Sequence, residues 1–144
     1  MSKIQTETFK LAIGSPTNTE RTYLTGEGVY VGANKQLLVH ALPVYRQKDY
    51  PNYQVRKQGP YVVTLAASGL RISATAQKMV FPKMEDAVKF AEVVGALFDM
   101  YGLPVSCTDP RTVLEKGKEL KEQVYEPMKA LAEANGGVFI EPQK

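Results

Sequence analysis

The sequence predicts an α+β fold: a ββββα unit in which a four-stranded antiparallel sheet precedes a long helix, with an extra C-terminal helix after it. Three observations predict it. Up to Pro82 apolar and polar side chains tend to alternate at the two-residue period of a strand, whereas after it they repeat at three and four, the period of a helix. The 144 residues suffice for one core and one domain. Charge divides at the same proline: residues 1–82 hold ten basic against four acidic side chains (+6), and residues 83–144 hold eight against eleven (−3).

Residues 1–20 read as an N-terminal extension, within which 8–13 would make a fifth strand. Residues 29–32 and 36–45 flank the turn Gly32-Ala33-Asn34-Lys35, where Gly and Asn accept the positive φ of a hairpin. The proline-containing loop 46–52 leads to a third strand, 53–66, bent at Gly59-Pro60. Ser68-Gly69 turns the chain into a fourth, 70–81, where Ile72, Ala74 and Ala76 alternate with Arg71, Ser73 and Thr75. The expected result is an antiparallel sheet with one wet face.

Pro82 suits the first turn of a helix over 83–101, which Gly102 and Pro104 end, so the ββββα unit spans 21–101. Met84, Ala87, Val88, Ala91, Val94, Phe98 and Tyr101 form one apolar stripe, and Phe90, Val93, Leu97 and Met100 a second beside it. One sheet cannot cover so wide a stripe, so the helix needs another partner, either the C-terminal helix or the same helix of a second copy. Ala87, Ala91 and Gly95, spaced by four, would let another backbone approach; with Val94 and Phe98 they are the candidate dimerisation residues. The extension 102–144 holds a second helix, from Asp109-Pro110 toward Ala134, kinked at Pro127. Val113, Leu120, Val124, Met128 and Leu131 mark its apolar side, and it is expected to help hold subunits together.

A single cysteine excludes an internal disulfide, and a single histidine leaves little for zinc or for a hydrolytic triad. His40, between Leu38 and Leu42, reads as a sheet-packing residue, and Cys107 has no neighbouring base. Glu85 and Asp86 are acids in a first helical turn, where they favour the helix dipole. Gly26 and Gly28 start a dinucleotide fingerprint, but Val31 holds the place of its third glycine. The expectation is a binding protein, not an enzyme, with no catalytic residue, metal or cofactor. No apolar run approaches the roughly 18–20 residues that cross a bilayer, and residues 1–20 lack the apolar region of a secretory signal. A cytoplasmic chain with no membrane partner is expected.

The basic half also holds six of the eight tyrosines. Cations that track phosphates, interleaved with rings that stack on unpaired bases, are the chemistry of single-stranded nucleic acid, at roughly 1–3 kcal/mol per stacked base. The candidate phosphate contacts are Lys35 at the hairpin tip, Arg46 and Lys48 in the loop, Arg56 and Lys57 on the third strand, and Arg71 and Lys78 on the fourth. Only Asp49 opposes them between residues 35 and 78. Tyr30, Tyr45, Tyr50 and Tyr53 are the stacking candidates.

The hairpin Val29-Tyr30-Val31-Gly32-Ala33-Asn34-Lys35-Gln36-Leu37-Leu38-Val39, the strand Tyr53-Gln54-Val55-Arg56-Lys57-Gln58-Gly59-Pro60-Tyr61-Val62-Val63 and the segment Gln77-Lys78-Met79-Val80-Phe81 before the helix resemble the Whirly proteins and the transcriptional coactivator positive cofactor four. The likeness covers residues 29–101. It departs from the Whirly Lys-Gly-Lys turn, since Val31 and Ala33 flank Gly32, and from the coactivator's groove tryptophan, since the chain has none. The resemblance implies a homodimer joined through its helices, whose outer sheet faces bind single-stranded DNA with little sequence preference. The settings it implies are transcription, replication, recombination or repair, with a replication or transcription protein as a further partner. A protein-interaction module and an RNA-binding protein are the alternatives.

Overall fold

A long strand with glycines at two alternate positions can change partners along its length, and Thr22–Val31 (β2) does so. The computed structural model describes residues 6–13, 22–32, 35–44, 46–50, 52–69, 72 and 78–140. Glu7–Ile13 (β1) runs antiparallel along one edge of β2. On the other edge, residues 28–31 pair antiparallel with Leu37–Ala41 (β3), while residues 23–25 pair parallel with Asn52–Val55 (β5). β3 continues through Leu42 into Pro43–Val44 (β4), which swings across to pair antiparallel with β5; Tyr61–Leu65 (β6) takes the far edge of β3.

The sheet is therefore curled and mixed, where the sequence predicts an antiparallel one. Its fork lies where β2 lacks side chains: a Cβ on Gly26 (φ 154°) would overlap Val55 Cγ2, and one on Gly28 would lie 2.7 Å from the Val39 carbonyl oxygen. Absent side chains let β5 and β3 close on β2 at successive points. The predicted third strand becomes two, β5 and β6, because the chain leaves the sheet at Arg56 and turns through Gly59 and Pro60, which has no N–H for a ladder. Of the predicted fourth strand, Lys78–Val80 (β7) is observed, and residues 70, 71 and 73–77 lie outside the described residues. β7 pairs not with the main sheet but with Val138–Ile140 (β8), a strand the sequence pattern does not announce. Tyr61 and Phe81 exchange two backbone hydrogen bonds of 2.8 Å, tying this ribbon to β6.

Met84–Tyr101 (α1) packs on β2, β3 and β6. It ends in a Schellman motif: Gly102, at φ 74°, and Leu103 donate back to the Asp99 and Phe98 carbonyls. Asp109 caps Pro110–Glu119 (α2), its carboxylate accepting from the Arg111 N–H at 3.0 Å, with Pro110 opening the first turn. The expected kink at Pro127 takes a different form. A π turn over Lys121–Tyr125 comes first, and Pro127 is the second residue of Glu126–Ala134 (α3), where a missing N–H is tolerated.

Alternation divides the sheet residues between two apolar clusters. Val31, Leu37, Val39, Val63 and Leu65 join α1, α2 and α3 in the larger core. On the opposite side, the curl gathers Phe9, Leu11, Leu24 and Leu38, with Tyr30, Tyr53 and Val55 packed against them. This second cluster replaces the broad wet face expected there, and all five residues of β3 are buried.

The wide apolar stripe of α1 finds its partner within the chain: Val124 and Met128, fully buried, pack in the same core as Phe90, Val94 and Phe98. The candidate dimerisation residues lie in or against this internal core. Ala87, Ala91, Val94 and Phe98 are all buried inside one copy, and Gly95 faces Leu37, whose Cδ1 would sit 3.2 Å from an added Cβ. Within one copy, the ridge of small residues lets α1 lie close on its own sheet.

Candidate nucleic-acid interface

The β4–β5 hairpin carries most of the cations and rings singled out above. Arg46 and Lys48, both exposed, lie in the connection between its strands, Arg46 just before and Lys48 within a single 3-10 turn at Gln47–Asp49. Tyr50 follows, 40% exposed, its ring 6.2 Å from that of Tyr53 in an edge-on arrangement. Tyr53 pairs with Leu24 and is anchored against the inner cluster, so it holds Tyr50 at the surface. Arg56 and Lys57 emerge at the other end of β5, where the Arg56 N–H donates to the Leu42 carbonyl at 2.9 Å. The two cationic ends are separated by the four residues of β5, about 13 Å of strand.

None of these four cations makes an ion pair or side-chain hydrogen bond among the described residues. Lys35 differs. At φ 52° on the β2–β3 turn, it bends back to pair with Glu7 at 3.0 Å and lies 5.1 Å from the Tyr30 ring centroid. Tyr30 itself packs on the inner cluster. Lys35 and Tyr30 thus form a local, charge-balanced pair at another corner of the sheet. Lys78 lies on β7, away from the hairpin, and its side chain, with Tyr45 and Arg71, falls outside the described residues.

A cleft of about 650 Å³ opens at the fork of the sheet, lined by residues that include Thr8, Glu27, Gln54, Arg56, Lys57, Tyr61 and Met84. Strand alternation puts Thr8, Thr25, Glu27 and Gln54 on the helix side of the sheet, opposite Phe9, Leu24 and Val55. A wet half-face therefore exists, on the other side from the one expected. Lys10 and Tyr23 extend it, the ammonium 4.5 Å from the ring centroid. The sequence reading missed this pair and the cleft's polar wall. The alternation of Thr8, Lys10 and Ala12 with Phe9 and Leu11 was the signal available.

No family model, curated protein or solved structure matches the chain. Its chemistry must therefore be argued from the side chains themselves. His40 is buried, with Nδ1 2.7 Å from the Ala41 carbonyl oxygen and Nε2 2.8 Å from Thr64 Oγ1. Since a carbonyl only accepts, the proton is on Nδ1 and Nε2 accepts from the threonine hydroxyl, so the ring is engaged inside the protein. Cys107 is half-buried, its Sγ 3.8 Å from the Asp109 carbonyl. Among the described residues no three histidine, cysteine or acidic side chains form a group that could hold a metal, and no helix is long and apolar enough to cross a membrane. What the surface offers is four exposed cations and the exposed ring of Tyr50.

Proposed function

We propose that the chain binds single-stranded DNA with little sequence preference, holding it along the β4–β5 hairpin, and performs no chemistry on it. The observation that carries this is the hairpin's charge. Arg46, Lys48, Arg56 and Lys57 are exposed at its two ends with no ion-pair partner among the described residues, and the exposed ring of Tyr50 stands at the Arg46–Lys48 end. Such cations gain from phosphates by releasing condensed counterions, and a ring at the surface stacks only on bases that a duplex would hide.

The dimer implied by the family resemblance would join through the large apolar side chains that α1 leaves at the surface, Val93 (43% exposed), Met100 (73%) and Tyr101 (40%). Its process, whether transcription, replication, recombination or repair, belongs to the same proposal.

The test is fluorescence anisotropy with single-stranded DNA, duplex DNA and RNA of one sequence at several salt concentrations. Tighter binding to the single DNA strand is expected, with a log–log salt slope approaching about −2.8 if all four cations engage. Replacing Arg56 and Lys57 together by Glu should abolish it. Equal binding to RNA would transfer the proposal to that polymer, and affinity indifferent to salt or to the double replacement would overturn it.

A further inference from the structure

The cleft at the fork holds chemistry that simple backbone tracking does not need. Glu27, Gln54 and Tyr61 line it together with Arg56 and Lys57, and none of the five makes a side-chain hydrogen bond or ion pair among the described residues. Acidic and basic groups thus share one cleft without neutralising each other, which suits a ligand that carries both an anionic group and an edge of hydrogen-bond donors. Its volume of about 650 Å³ falls within the range of small-molecule sites. Tyr61, half-buried, and Met84 supply an apolar wall on which a flat ring can lie.

We propose that this cleft is a nucleotide pocket selective for guanine, with the base against Tyr61 and Met84, its phosphate on Arg56 and Lys57, and its Watson–Crick edge read by Glu27 and Gln54. Guanine presents two adjacent N–H donors on that edge, matching the two acceptor oxygens of a carboxylate. Adenine and cytosine offer only one amino group there, and thymine sets its single N–H between two carbonyls that repel Glu27. The source of the nucleotide, a base turned out of a bound strand, rests on the function proposed above, to which it adds a preference for one base at one point of an otherwise sequence-tolerant path; a free guanine nucleotide has the same chemistry.

The experiment has two arms. In the first, anisotropy compares a thymine oligonucleotide with the same strand carrying one central guanine, adenine or cytosine. In the second, calorimetry titrates the four free nucleoside monophosphates. Both are repeated with Glu27→Gln, an exposed position where the fold is not at risk. The guanine strand should bind about fivefold or more tightly than the others. Glu27→Gln should erase that preference while raising affinity for the plain thymine strand, because it removes a negative charge beside two cations. Strand binding without guanine preference, or a preference that survives Glu27→Gln, overturns the pocket and leaves the strand proposal standing. Guanosine monophosphate binding that Glu27→Gln abolishes, with no strand bound, supports the pocket and overturns the strand proposal.

Discussion

Gly26 and Val55 meet across the parallel β2–β5 pair so closely that a Cβ on the glycine would overlap the valine's Cγ2. Gly26 also holds φ at 154°, where side-chain-bearing residues are strained. Gly26→Ala is expected to cost about 2–4 kcal/mol, overlap and backbone strain combined. Urea denaturation reads this directly, and adding Val55→Ala should restore only part, since the strain remains. A loss below about 0.5 kcal/mol would mean that β5 does not close on β2 there.

Thr64 and His40 join β6 to β3 through a hydrogen bond buried from water. Thr64→Val keeps the shape but removes the hydroxyl from which Nε2 accepts. The expected loss is about 1–3 kcal/mol by denaturant titration, with Thr64→Ser closer to the parent. Equal stability of the valine and serine variants would show that the hydroxyl contributes nothing.

Lys35 separates a count of charges from a reading of their surroundings. Its ion pair with Glu7 answers its charge locally, whereas Arg56 and Lys57 have no such partner among the described residues. Lys35→Ala should lower single-strand affinity less than about twofold, and Arg56→Ala more, each lost contact making the salt slope shallower by about 0.7. Glu7→Gln, which frees Lys35, should raise affinity. The reverse ranking in a salt titration would relocate the interface to the β2–β3 turn.

Elements held by local rules were legible in the sequence: the helix from Met84 to Tyr101 with its Gly102 stop, the Asp109-Pro110 start of α2, and the strand over 8–13, seen as Glu7–Ile13. What failed was partner choice. Nothing local in Asn52–Val55 says that it pairs parallel with β2, because that follows from the missing side chain at Gly26 and the distant Val55. β8 was equally hidden, three residues paired with β7 more than fifty positions away. Of the candidate site, the hairpin's cations and Tyr50 were found by composition, but Lys35's ion pair, the cleft and the Lys10–Tyr23 pair exist only once β1 lies beside β2.

Ala91 tests where the small-residue ridge of α1 faces. Buried within one copy against the sheet and the C-terminal helices, it has no room for a larger side chain. Ala91→Leu is therefore expected to cost about 1–3 kcal/mol through overpacking. An internal clash lowers the melting temperature by the same amount at every protein concentration, because no association equilibrium is involved. A residue at a subunit interface behaves otherwise: its replacement shifts the oligomeric state, and the melting temperature falls with dilution. Thermal denaturation over a hundredfold range of concentration, with light scattering to give the mass in solution, distinguishes the two. A concentration-independent loss at unchanged mass fits the ridge as internal packing, and dissociation with little loss of fold would return it to the dimer.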